Sequence, residues 1–108
     1  MSHRVLLTAD AARDLEDIYD YIARHDAPAK ADAVLDRIEQ VLANLAEFSH
    51  RGHHPQELRS LGIHEYREVL FKPYRMIYRV IGDAIYVYLI ADGRRDMQTL
   101  LAHRLLDR

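Results

Sequence analysis

Four arginines stand at spacings that suit anion chemistry. In Tyr74-Arg75-Met76-Ile77-Tyr78-Arg79 the alternation of a strand puts Arg75 and Arg79 on one face, roughly 7 Å apart at ~3.3 Å per residue. Arg94 and Arg95 follow Asp92-Gly93 at the turn into the last segment. A guanidinium grips carboxylate or phosphate through two parallel N–H bonds. The set therefore holds an anionic group of a partner, or it closes internal ion pairs. The internal choices are Glu65 or another acid across the sheet for Arg75, and Asp92 or Asp96 for Arg94 and Arg95.

Other chemistry-bearing residues are less concentrated. Tyr74, Tyr78, Tyr86 and Tyr88 alternate along neighbouring strands and read as core and cross-strand packing, with Tyr78 the better candidate for an exposed contact. His50, His53 and His54 share a loop whose nearest carboxylate is Glu57, and adjacent imidazoles do not converge easily on one ion, so no metal is expected. His103 reads as a solvent-facing helix residue rather than a general acid or base. No cofactor is expected.

Composition narrows the partner. The chain has 108 residues with 15 Lys+Arg, 17 Asp+Glu and a formal charge of −2. A protein holding nucleic acid by bulk charge would be strongly basic. Residues 1–62 carry 7 basic and 11 acidic side chains, and residues 63–108 carry 8 and 6, so the second half is the one that would attract an anionic partner. Lysine is confined to Lys30 and Lys72. The length fits a single domain able to bury about 65% of its unfolded surface without staples. The absence of cysteine removes disulfides, Fe–S clusters and thiolate zinc together, and fits a reducing cytoplasm. No apolar run is long enough for a membrane span, and no signal-type stretch follows the start, so the expected location is cytoplasmic.

The elements that position these residues follow from periodicity. Arg4–Leu7 reads as a strand, after which Thr8 caps a helix over Ala9–Arg24 with Ala12, Leu15, Ile18, Tyr19 and Ile22 on its apolar stripe and Asp14 outside it. Asp26 is a plausible cap and Pro28 a tolerated first-turn residue for a second helix, whose stripe runs from Ala31 to Phe48. The short connection makes an antiparallel helix hairpin. Ser49–Leu61 is a loop with one helical turn near Gln56–Ser60. The period then drops toward two in Ile63–Phe71, Tyr74–Ile81 and Ala84–Ala91, three antiparallel strands with a tight Gly82-Asp83 turn. The Arg-Ile-Arg face of the middle strand is expected to meet solvent or a partner, since unpaired guanidinium is costly to bury. Arg94–Arg108 reads as a terminal helix with Met97, Leu100, Leu101 and Leu105 apolar. The class is α+β.

Three stretches carry a resemblance: Val5-Leu6-Leu7-Thr8 with Ala12, Asp14, Leu15 and Ile18; Tyr74-Arg75-Met76-Ile77-Tyr78; and Arg94-Arg95-Asp96-Met97 with Leu100, Leu101, Arg104 and Leu105. In that order and spacing they resemble the RelE/ParE superfamily of bacterial toxins, the toxin halves of type II toxin–antitoxin pairs, with the ending closer to the ParE branch. The ParE resemblance implies a toxin that binds DNA gyrase and traps cleaved DNA, without bond chemistry of its own. The RelE alternative implies a ribosome-dependent mRNA endoribonuclease in which Arg75 and Arg95 would serve as phosphate-binding catalytic residues.

Cleaving RNA through its own 2′-OH needs a group to take that proton, cations on the phosphate and an acid for the leaving oxygen. By the resemblance, the tyrosine of the RelE ending falls near Leu101, which exchanges no proton. The basic cluster before the sheet is replaced by Glu65, Tyr66 and Glu68 around Arg67, and the net charge is negative. All three points favour the ParE reading. The resemblance further implies a cognate, ParD-like or similar antitoxin that wraps the toxin in a hetero-oligomer. Arg67, Arg75, Tyr78, Arg79, Arg94, Arg95 and Arg104 are the residues expected to meet target or antitoxin. Neither direct sequence-specific nucleic-acid binding nor membrane association is expected.

Overall fold

Thr8 ends one element and starts the next. Its backbone N–H still donates to Val87 as the last link of strand β1 (Arg4–Leu7), while its side-chain oxygen accepts from the Ala11 N–H at 3.1 Å and caps helix α1 (Ala9–His25). A computed structural model describes residues 2–106 and shows α1 folding back into α2 (Pro28–Asn44), then a short helix α3 (Gln56–Arg59), strands β2 (Tyr66–Phe71), β3 (Tyr74–Ile81) and β4 (Ala84–Asp92), helix α4 (Met97–Leu101) and a π-helical turn over Ala102–Leu106. The sheet order is β1-β4-β3-β2, with β1 parallel to β4 and the rest antiparallel. Gly82 takes φ +60° in the tight β3–β4 turn, the left-handed geometry expected there.

The boundaries differ from the sequence reading for local reasons. Asp26 does not cap α2: its carboxylate is 2.8 Å from Lys30, and Ala27 occupies the cap position without a side-chain bond. The α2 stripe stops at Asn44 because the next three N–H groups bond only three residues back, which tightens the turn and breaks the 3.6-residue phase. Leu45 remains buried, but Phe48 rotates out to 52% exposure, with the Arg51 guanidinium 4.3 Å from its ring centroid. β2 starts at Tyr66 rather than Ile63. The terminal helix starts at Met97, where Asp96 accepts from the Thr99 N–H at 3.1 Å. The expected helical residues 107 and 108 lie outside the described residues.

Both faces of the sheet are covered. On one side α1 and α2 bury Ala11, Ile38, Leu42 and Leu45 against Met76, Tyr78, Ile85 and Ile90. On the other, Leu58 of α3, Met97 and Leu101 of α4, and Leu105 cover Ile77 and Leu89. The Arg-Ile-Arg face of β3 is therefore not an open surface, since Ile77 is fully buried. What makes this burial tolerable is that the arginines on that face find partners. The phase of β4 shifts once, between Ile77↔Leu89 and Tyr78↔Val87, so Tyr88 is an extra bulged residue. Ile85 and Val87 before the bulge, and Ile90 after it, consequently face the same helices.

Candidate functional site

A dense group of paired charges among the described residues is centred on Arg75. Its guanidinium donates to both oxygens of Glu57 at 2.9 and 2.8 Å, and to Glu68 at 2.6 and 3.2 Å. His53 Nε2 lies 3.0 Å from the second Glu68 oxygen. Glu68 sits on the same sheet face as Leu70, the residue directly across from Arg75, so the pair is diagonal; the expected Glu65 is not the partner. The Glu57 bonds raise the Arg75 pKa further above its ordinary value, and the same bonds hold the Glu57 carboxyl below its own. Arg75 thus functions as an internal tie between α3, β2 and β3.

The other expected residues separate in the same way. Tyr78 is fully buried rather than exposed: its hydroxyl donates to the Ser49 carbonyl at 2.8 Å and accepts from the Gly52 N–H at 3.1 Å, and burial pushes its pKa up. Gly52 is needed there, because a Cβ would lie 2.4 Å from the Glu68 carbonyl oxygen. Arg67 donates to the Gly52 carbonyl at 2.8 Å and secures the same loop. Arg79 is half-buried and lies over the Tyr66 ring at 5.9 Å from its centroid, so it shares no anion with Arg75. Arg104 makes two bonds to Asp14 at 2.8 and 3.0 Å and one to the Tyr88 carbonyl at 2.7 Å.

Arg94 and Arg95 are the expected residues that remain at an open site. Arg94 folds onto Asp92 at 2.6 Å and lowers that carboxyl's pKa. Arg95 is exposed, and no carboxylate among the described residues bonds it. Both line a cleft of about 390 Å³ between α1 and the end of β4. Its walls are Ile18, Tyr21 and Ile22 of α1, Tyr74 of β3 and Ile90 of β4. β1 pairs only with Ala84–Val87, so beyond it the outer edge of β4 opens on this cleft, and the Ile90 N–H is met there by Asp14 at 3.0 Å.

Around Tyr21 the cleft continues into a second one of about 460 Å³, which contains both lysines, Lys30 and Lys72. Tyr21 is 64% exposed and stacks on His25 with ring centroids 4.2 Å apart. The sequence reading missed Tyr21. Its signal was an aromatic residue lying off the apolar stripe of α1.

The arrangement suits binding better than catalysis. It offers an apolar floor, the exposed ring of Tyr21 and a rim of both charge signs on which Arg95 and Lys72 have no carboxylate partner among the described residues, features of a surface that receives a peptide segment. Among the described residues no three His, Cys, Asp or Glu side chains gather as a metal centre. No helix is long and apolar enough to cross a membrane.

Comparison with known proteins places this geometry. Toxin ParE3 of Caulobacter vibrioides is 29% identical over 101 residues, covering 94% of this chain and 97% of that protein. The fold is similar to a chain of the chromosomal ParDE toxin–antitoxin system of P. aeruginosa, with a TM-score of 0.71 and 24% identity, covering 84% of this chain and 96% of that one. It is also similar to a chain of the RelBE2 toxin–antitoxin complex of Mycobacterium tuberculosis, with a TM-score of 0.58 and 19% identity over 85% and 92% of the two chains. Residues 5–97 match the family described as ParE toxin of the type II toxin–antitoxin system parDE, and the chain belongs to that family.

Proposed function

We propose that this ParE-family toxin acts in the cytoplasm by binding DNA gyrase and trapping its cleaved-DNA state, and that a cognate antitoxin silences it by occupying the cleft between α1 and β4. The observation that carries the first half is the closure of Arg75. A ribonuclease needs that guanidinium free for a phosphate, whereas here Glu57 and Glu68 engage it. Leu101, where the RelE ending has its tyrosine, is buried and has no proton to exchange. The net charge of −2 further favours a protein target over ribosomal RNA.

Support for the second half comes from the cleft itself. Arg95 and Lys72 offer positive charge beside Tyr21 and Tyr74, over an apolar floor of Ile18, Ile22 and Ile90. Antitoxin-free protein added to gyrase and to translating ribosomes tests the reading. The expected result is blocked supercoiling with intact mRNA; mRNA cut in the A site with gyrase unaffected would establish the nuclease instead.

A further inference from the structure

The helix hairpin bears a second groove, on the other side of α1 from the cleft. Leu15 and Tyr19 of α1 and Leu35 of α2 form its floor, and Glu16, Asp20 and Glu39 its rim, around a space of about 360 Å³. No basic residue lines it. Elsewhere on the hairpin some carboxylates are matched by cations: Asp10 by Arg13, Asp14 by Arg104 and Asp26 by Lys30. At this groove none is, since no cation among the described residues pairs with Glu16, Asp20 or Glu39. Glu16 and Asp20 stand four apart on one helix, where like charges repel and destabilise it. The Tyr19 hydroxyl donates to Asp32 at 2.9 Å, which sets a further carboxylate beside the groove.

We propose that this groove receives a basic amphipathic helix of a partner, with apolar residues at i, i+3 and i+7 over Leu15, Tyr19 and Leu35 and Lys or Arg flanking them to meet Glu16, Asp20 and Glu39. Charge complementarity selects this occupant: a floor of three apolar side chains would accept any amphipathic helix, but a rim of three unpaired carboxylates repels an acidic one. The surface is separate from the cleft at Arg95, so both can be occupied at once.

The test is an NMR titration of the full chain with a synthetic amphipathic helix about 14 residues long, or about four turns, bearing Leu on one face and Lys on its flanks, beside the same peptide with Glu in place of Lys. The Lys peptide is expected to shift the amide signals of Leu15, Tyr19 and Leu35, to bind more weakly as salt rises, and to lose binding at least about tenfold in Glu16→Lys/Asp20→Lys/Glu39→Lys while keeping it in Arg94→Ala/Arg95→Ala. Equal binding of the Glu peptide, no shift with the Lys peptide, or shifts mapping to Tyr21 and Tyr74 would each overturn the proposal.

Discussion

Arg104 and Asp14, ninety residues apart in sequence, form a two-bond ion pair at 2.8 and 3.0 Å that fixes the end of the chain to the first helix. The pair also occupies backbone groups that the β4 bulge leaves over: Arg104 donates to the Tyr88 carbonyl and Asp14 accepts from the Ile90 N–H. The uncovered edge of β4 is thereby fixed beside α1, which gives the cleft at Arg95 a defined shape.

Replacing either member should loosen the molecule. Arg104→Ala and Asp14→Ala should each lower stability by about 2 kcal/mol, the range for hydrogen bonds to charged groups. Urea denaturation of both single variants and the double variant should give a coupling of about 1–3 kcal/mol, as expected for residues in contact.

The Arg75 network should be more sensitive. Arg75→Ala leaves Glu68, whose side chain is only 5% exposed, without its guanidinium. Removing one partner of a buried pair costs about 3–5 kcal/mol, so a large drop in melting temperature is expected, whereas an unchanged melt would free Arg75 for a partner.

The same network predicts acid sensitivity. Glu57 has its pKa lowered in the folded state, so its pairing with Arg75 stabilises the protein above the ordinary carboxylate value, and that contribution is lost as pH falls through the lowered one. Thermal melts taken below the ordinary 4.5 should show a steeper loss for the parent protein than for Glu57→Gln, which has no carboxylate there to protonate.

Gly52 and Tyr78 form a close backbone approach that tolerates little change. Gly52→Ala places a methyl 2.4 Å from the Glu68 carbonyl oxygen and should cost about 1–3 kcal/mol through overpacking. Tyr78→Phe leaves the Ser49 carbonyl and the Gly52 N–H without their shared partner, with a loss of about 1–3 kcal/mol by calorimetry.

Tyr21 and Arg95 should behave in the opposite way. Both are exposed, and Arg95 is bonded to no carboxylate among the described residues. Alanine at either position should leave stability within about 0.5 kcal/mol. Each change should weaken antitoxin binding by about tenfold, equivalent to ~1.4 kcal/mol, measurable by calorimetric titration.

Much of the scaffold was legible because it rests on local rules. The packing of Leu15 and Ile18 on the core, the cap at Thr8 and the positive φ at Gly82 depend on near neighbours in sequence, and all three are found. The ion pairs were not legible. Asp14 looked like a polar position outside the α1 stripe, and its partner Arg104 lies ninety residues on, in a π-helical turn that no local pattern announces. Glu57 sat in a loop with no sustained period, so nothing local pointed it at Arg75, eighteen residues away. The sheet arginines read as an outward surface because their partners are distant in sequence. Arg94 and Arg95 were legible as turn residues because Asp92-Gly93 is a local signal, and of the internal pairs weighed there Arg94 makes the one to Asp92.

The most direct test of the central claim is to incubate supercoiled plasmid with gyrase and the antitoxin-free protein and then measure linear DNA after detergent and protease release the enzyme. Accumulation of linear DNA is expected only when gyrase and the protein are both present, with ribosome-bound mRNA left whole. No trapped cleavage, together with A-site cuts in mRNA, would contradict the account.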